Sequence, residues 1–326
     1  MKKKYQFITI GGATRDFMFY DPAAKFLFTP ENLIRQKSLC FEYGAKIQVG
    51  KTYFTFGGGG ANTAVNFSNL GFKTAALVAL GDDENGQAVL TNFKKQGVDT
   101  RLIQIQPGKM TGFSFILTAG KEKEHVIFLY RGANNNLSCS LGNLKKLKTR
   151  WFYVTSLSNS NWQQILDNVF LKQKSLLAWN PGGQQLQAGW RGLHKYLAVV
   201  NVLALNKDEA IELVSSVPEY KKSKSLNNVK YLLRKIRKMG PEIVLITSGR
   251  AGADVYDGRN FYHQKVVGNI KKVVDTTGVG DCFNSTFVAG LEKFNGDIKK
   301  AMLAAAKNSA AITTKVGAQN GLKKVI

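Results

Sequence analysis

Asp275, Thr276, Thr277, Gly278, Val279, Gly280 and Asp281 run directly into an apolar stretch through Cys282, Phe283 and Phe287 to Leu291, and this junction constrains the chain more than any other segment. A glycine-rich turn that opens a helix gathers successive backbone N–H groups at the positive end of the helix, where an anion binds. Asp281 stands beside that anion position. A carboxylate there repels a bound phosphate, so it needs a chemical purpose, and accepting a proton from an attacking hydroxyl is one. A turn capped by an Asp N-cap has the same local composition, and this segment alone leaves both readings open.

A second glycine-rich segment lies far away in sequence. Gly57, Gly58, Gly59, Gly60, Ala61 and Asn62 follow the strand-like alternation at 51–56 and lead into a helical pattern through Ala64, Val65, Phe67, Leu70 and Gly71. The glycines let the backbone pass close to a ligand. Asn62, at the head of that helix, offers a donor and an acceptor, which suits neighbouring hydroxyls of a sugar and equally suits an N-cap.

Elsewhere, apolar runs at 74–80, 126–129, 151–155, 176–179, 199–205 and 243–247 recur with helical patterns between them. That alternation predicts an α/β fold with a doubly wound, mostly parallel sheet and ligands at the carboxyl ends of its strands. At 326 residues with 44% hydrophobic content the chain can bury a large core, and no second domain is required.

Taken with their spacing, the two glycine segments resemble the signatures of the ribokinase-like (PfkB) family of carbohydrate and nucleoside kinases. Gly58, Gly59, Gly60, Asn62, Ala64, Gly71 and Gly81 match the first signature. Asp275, Thr276, Gly278, Gly280 and Asp281 match the second, with Val279 in place of the usual small residue and Thr286 where Gly or Ala is usual. Both departures are expected to add methyl groups near the anion hole. Gly11, Gly12 and Asp16 after the strand at 5–10 look like the family's first strand and its substrate-binding Asp. Asn206 and Glu209 match an Asn-x-x-Glu element, Thr247, Gly249 and Gly252 a turn against the nucleotide, and Gly317 with Ala318 the C-terminal Gly-Ala. Ala306 departs from the family's Asn or His, so adenine contacts there are expected to be apolar or to come from elsewhere.

The resemblance implies a ribokinase-like fold: one kinase domain over 1–326, its sheet flanked by helices, with a small β-sheet lid from segments at about 16–56 and 108–118. It implies an ATP-dependent kinase acting on a primary hydroxyl of a sugar or nucleoside. Asp281 would be the general base, and the N–H groups of Gly278, Val279 and Gly280 the anion hole. Asp16, Gly58, Gly59 and Asn62 would hold the acceptor. Asn206, Glu209, Thr247, Gly249, Gly252, Gly278 and Gly280 would hold ATP, with Mg2+ reached from Glu209 through water. Asp275 and Thr277 match the positions that shape a monovalent-cation site in relatives, so activation by K+ is expected, as is a homodimer through the lid. Phe17, Phe19, Tyr20, Phe26 and Phe28, at the lid's root, serve either as packing or as a stacking surface. Arg15 and Arg131 either recognise a phosphate on the substrate or make structural ion pairs. The 179–183 segment looks like a strand-end loop near the phosphates.

Cys40, Cys139 and Cys282 have no metal spacing and form no disulfide framework, which points to a reducing, cytoplasmic compartment. The basic start at 1–4 precedes too short an apolar stretch for a signal peptide, and no run approaches the ~20 apolar residues of a membrane span. His125, His194 and His263 are scattered and give no zinc-ligand spacing. The net charge of +24 would speed encounter with ATP. The lysines fall in pairs and triplets, including 2–4, 145–146, 221–222, 299–300 and 323–324, without a nucleic-acid module. Solvated helix faces account for them, and no nucleic-acid partner is expected. After the first strand, no Gly-x-Gly-x-x-Gly supports a dinucleotide oxidoreductase. The remaining alternative is a catalytically silent ligand sensor or RNA-binding protein on a kinase fold.

Overall fold

The computed structural model describes residues 4–21, 25–28, 37–119, 124–140, 144, 147–268 and 272–325. Residues 1–3, the lysines at 145–146, part of the 16–56 segment, and the side chains of Phe26 and His125 lie outside the described residues.

The chain begins with β1 (Lys4–Ile10), β2 (Thr14–Asp21), β3 (Lys25–Phe28), β4 (Lys37–Cys40) and β5 (Lys51–Gly57). Helix α1 (Gly59–Asn69), β6 (Thr74–Leu77), β7 (Ala79–Gly81), α2 (Glu84–Lys95) and β8 (Gln104–Gln106) follow, and then β9 (Phe113–Ala119) and β10 (Glu124–Tyr130). The middle of the chain carries β11 (Lys148–Val154), α3 (Trp162–Phe170), β12 (Leu176–Trp179), α4 (Gly183–Leu186), α5 (Gly189–Leu197), β13 (Val202–Asn206), α6 (Lys207–Ser215), α7 (Val229–Lys238) and β14 (Ile243–Thr247). The last elements are β15 (Ala253–Tyr256), β16 (Phe261–Gln264), α8 (Val279–Lys293) and α9 (Ile298–Ile312).

Eight strands form the main sheet in the order β16-β15-β14-β13-β12-β11-β1-β6. The strands from β14 to β6 pair in parallel, and β15 and β16 add an antiparallel edge. Both faces are buried, so successive strand residues alternate between two cores. Ile8, Phe152, Val154, Leu177, Leu203 and Ile246 pack with α3, α5, α6 and α7 on one side. Phe7, Tyr153, Ala178, Ala204 and Leu245 pack with α1, α8 and α9 on the other. Phe7 anchors that second core, its ring stacked on Phe67 with centroids 3.9 Å apart. The mostly parallel, doubly wound sheet expected from the alternation of runs is present.

A separate four-stranded sheet has the order β10-β9-β2-β5. Here the 126–129 run departs from expectation: it belongs to β10, paired antiparallel with β9, and not to the main sheet. Its apolar residues are not core, since Phe128 is 59% exposed, and apolar content alone does not distinguish a core strand from a strand awaiting a partner. The 74–80 run also breaks. Its first half is β6 in the main sheet, whereas Ala79–Gly81 pairs with β8 in a small sheet of its own. The 199–205 run begins as the turn after α5 and becomes strand only at Val202.

Candidate active site

The strand ends β1, β11, β12, β13 and β14 open on the same side of the parallel sheet, where an open α/β sheet binds ligands. Helix α1 starts there by backbone-to-backbone packing. Gly58, its N-cap, has φ of 87°, and a Cβ on it would lie 2.7 Å from Ala13 Cα. A Cβ on Gly60 would lie 2.8 Å from Gly11 C, and one on Gly59 2.9 Å from Thr155 Oγ1. These glycines draw α1 against the turn after β1, and that approach sets Asn62 in the first turn of the helix. Asn62 is not an N-cap. Its Nδ2 donates to Asp281 Oδ2 at 2.8 Å.

Asp16 lies on β2, buried, with its Oδ1 accepting from Thr14 Oγ1 at 2.8 Å. A side chain at Gly57 would collide with its carboxylate, so the last glycine of β5 keeps room for it. Burial pushes the Asp16 carboxyl up, offset by the Thr14 and Ser114 hydroxyls and by Arg15.

Across the site, Gly278 is the N-cap of α8 in the left-handed conformation, φ 75°, with Ala318 packed where its Cβ would be. The turn before it is tied down by Asp275. One oxygen of this carboxylate accepts from Thr277 N at 3.0 Å and Thr277 Oγ1 at 2.8 Å, and the other from Gly317 N at 2.8 Å. The expected donors differ in one member: Val279 N–H is turned toward Thr276 O at 3.3 Å, because the turn closes on itself. Among the described residues the N–H groups of Gly280 and Asp281 donate to no protein acceptor, as expected for the first turn of a helix. Among the described residues nothing lies within 4 Å of a Cβ placed on Gly280.

Gly278, Gly280 and Asp281 line a cavity of about 250 Å³ together with Asn206, Glu209 and Thr247. Burial raises the Asp281 carboxyl, and the Asn62 hydrogen bond partly offsets this. Glu209 is raised by burial first; its bond to the Asn206 N–H offsets this and the negative charge of Asp281 adds to it. Asn206 and Glu209 form a reciprocal capping box at the start of α6, with both bonds at 2.8 Å. The motif thus builds the helix end and also faces the cavity. Gly249 and Gly252 shape the turn between β14 and β15, outside the cavity lining.

Asn180 comes from the 179–183 segment expected near the phosphates, whereas the lining residue Asn284 was not anticipated from the sequence. Asn180, at the end of β12, is held by its Nδ2 donating to Ala204 O at 2.9 Å. Asn284 lies one helical turn past Asp281, and its buried Oδ1 has no partner among the described residues. Its spacing of three from Asp281 was the available signal. Behind the cavity, burial and the nearby Asp281 charge push the Tyr153 phenol well up.

Thr286 is not near the anion hole. It is buried between α1, α8 and α9, where its Oγ1 accepts from Asn66 Nδ2 and from Asn308 Nδ2, each at 2.9 Å. Asn308 Nδ2 also donates to Asn66 Oδ1 at 2.9 Å. Thr286→Ala removes the shared acceptor, while Asn66 Nδ2 keeps Ser285 Oγ and Asn308 Nδ2 keeps Asn66 Oδ1, which should cost about 0.5–1.5 kcal/mol. Urea unfolding should show the midpoint falling at constant slope; an unchanged midpoint would contradict the network.

The face of the four-stranded sheet opposite Asp16 is aromatic. Phe17 meets Phe54 edge-on at 5.4 Å and Phe115 at 5.3 Å, and Phe113 meets Tyr130 at 5.0 Å. Phe17 and Phe19 therefore point away from Asp16, and a stacking surface for the acceptor is not formed by them. Arg15 shares that face, its guanidinium 4.4 Å from the Phe56 centroid.

The pfkB family carbohydrate kinase model matches residues 29–325. A ribokinase of Haemophilus influenzae is 28% identical over 280 residues, covering 84% of this chain and 86% of its own. The solved ribokinase of Cryptococcus neoformans in complex with ADP superposes with TM-score 0.76 at 20% identity, over 98% of this chain and 97% of that one. A nucleoside kinase of Methanocaldococcus jannaschii superposes with TM-score 0.72 at 20% identity, over 98% and 95%. The fold is thus ribokinase-like, and no described helix is long and apolar enough to cross a membrane. The chain belongs to the pfkB family of carbohydrate kinases and is a phosphotransferase with an alcohol group as acceptor.

Proposed function

We propose that the protein transfers the γ-phosphate of ATP to a primary hydroxyl of a sugar or nucleoside, with Asp281 as general base. One observation carries this reading: a half-buried carboxylate shares a cavity with N–H groups at the start of α8 that are unengaged among the described residues. Those amides stabilise charge on the transferring phosphoryl, and Asp281 takes the hydroxyl proton as the oxygen attacks. The acceptor is held by Asp16, Asn62 and the backbone at Gly58 and Gly59, and the nucleotide by Asn206, Glu209 and Thr247, with Gly249 and Gly252 beyond the cavity.

Among the described residues the cavity lining contains two carboxylates and no Lys or Arg, so a counter-cation would help a polyphosphate bind. Magnesium brought by ATP would supply that neutralisation, with Glu209 and Asn206 the residues that would hold it through water. Near the same turn, the Asp275 carboxylate is buried, with N–H and O–H donors and no cationic partner among the described residues. This supports a monovalent cation at Asp275 and Thr277. Initial rates in KCl should exceed those in choline chloride several-fold; equal rates in potassium, sodium and choline salts would rule the site out.

The four-stranded sheet carries Asp16 and serves as the lid, excluding water on closure. A second copy of this chain covers its aromatic outer face, where Phe54 is 61% exposed. Sedimentation velocity should find a dimer for the natural protein and a monomer for Phe54→Glu. A natural protein that sediments as a monomer at micromolar concentration would count against that interface. The kinase reading itself is tested by ADP release with ribose, fructose, keto-deoxy sugars and adenosine. Release should require one acceptor; ATP binding without release for any acceptor would favour a ligand sensor.

A further inference from the structure

Three side-chain amides stand in line behind Asp281. Asn92 Nδ2, on α2, donates to Gln319 Oε1 at 2.8 Å. Gln319 Nε2 donates to Asn62 Oδ1 at 3.0 Å, and Asn62 Nδ2 donates to Asp281 Oδ2 at 2.8 Å. Every link runs in the same sense, so a change of polarity at Asn92 would be passed along the chain toward the carboxylate.

We infer that Gln319, oriented by Asn92, is a positioning residue for Asp281 and acts through the amide of Asn62; this rests on the reading of Asp281 as the base. Asn62 is 6% and Gln319 8% exposed, so neither amide is oriented by bulk water. An Asn62 amide turned over would set its Oδ1 against a carboxylate oxygen, two acceptors without a proton between them. Among the described residues the Gln319 N–H group is the donor that holds the Asn62 oxygen on the far side and so reinforces this orientation. The same short segment braces the other side of the site: Gly317 N–H is held by Asp275, and Ala318 packs under Gly278. Residues 317–319 therefore set both the anion-binding turn and the direction of the base. Donation to Asp281 also opposes the upward pull of burial on its carboxyl, keeping the base available near neutral pH.

The relay makes a prediction that simple packing does not. Gln319→Met fills similar volume but donates nothing. Gln319→Glu is nearly isosteric but can only accept, so it turns the Asn62 amide over and faces Asp281 with oxygen. Asn92→Asp, at a half-buried surface of α2, reverses the first link in the same way without touching the site.

The test is the pH midpoint of the Asp281 carboxyl, read from its 13Cγ resonance in the full-length protein and assigned by its loss in Asp281→Asn. No ligand is needed. In Gln319→Met the midpoint should rise by about one pH unit, the size of one lost charge-assisted bond. In Gln319→Glu it should rise further, and in Asn92→Asp it should move in the same direction. Midpoints matching the natural protein in Gln319→Met and Asn92→Asp, both shown folded by an unchanged thermal transition, would overturn the relay. Full turnover by Asp281→Asn would instead overturn the reading of Asp281 as base, whatever the midpoints do.

Discussion

Replacing Asp281 by Asn should lower turnover about 100- to 10,000-fold, the range of a lost general base, while ATP binding persists. The amide keeps the shape and still accepts from Asn62, so the loss isolates proton transfer. The same variant should be more stable at pH 7.5. Burial raises the Asp281 carboxyl in the folded state, so the native protein holds that proton more tightly than the unfolded chain. Its favourable contribution is full below the unfolded carboxylate value, near about 4, and is lost as pH rises through the raised native value. At pH 7.5 the natural protein therefore carries a destabilising, partly desolvated charge that Asn lacks. Differential scanning calorimetry should show Tm of Asp281→Asn higher by about 2–4 °C at pH 7.5, with the gap closing toward pH 4. An equal or lower Tm at pH 7.5 would contradict the burial of the base. The rate of the natural protein should likewise fall on acidification at a pH above the ordinary carboxylate value.

Gly278→Ala and Gly280→Ala should behave oppositely despite lying two residues apart. Gly278 combines φ of 75° with Ala318 packed against the position of its Cβ, whose Cα would be 2.8 Å away. The left-handed backbone costs about 1–2 kcal/mol for a non-glycine residue, and the overlap adds about 1–3 kcal/mol. Gly278→Ala should unfold several degrees earlier and, by moving the amides at the start of α8, lose most of its activity. Gly280→Ala meets no atom of the described residues within 4 Å and should keep its Tm. Its methyl group enters the space for the phosphates, so KM for ATP should rise about tenfold, a loss of uniform binding. Thermal melts with steady-state kinetics on both variants separate the two roles; parallel behaviour would refute the assignment of Gly280 to the ligand side.

What could be read from the sequence was chemistry carried by local segments. Gly278, Gly280 and Asp281 could be read together because the turn, the helix start and the carboxylate are neighbours in the chain. The main-sheet strands at 151–155, 176–179 and 243–247 were legible because both of their faces are buried, which requires unbroken apolar runs. The β10 strand was misplaced for the same reason: its apolar residues face outward, and hydrophobic content does not reveal which side they meet. The placement of Thr286 near the phosphates failed because a helix turns 100° per residue, so five positions beyond Asp281 the side chain faces α1 and α9. The partners of Asn62 lie 219 and 257 residues away, and nothing local distinguishes Gln319 from a surface glutamine. Asn206 and Glu209 held a double meaning, since a capping box and a nucleotide-facing pair have the same spelling.

The most direct test of the central claim is single-turnover transfer from γ-labelled ATP, by rapid quench, to the acceptor found in the ADP-release panel. It would compare the natural protein with Asp281→Asn at matched ATP occupancy, and 31P NMR would locate the new ester. The account predicts label on one primary hydroxyl of a sugar or nucleoside, formed at a rate that falls at least 100-fold in the variant. Label appearing in Asp281→Asn at the natural rate, or only in water as inorganic phosphate, would contradict it.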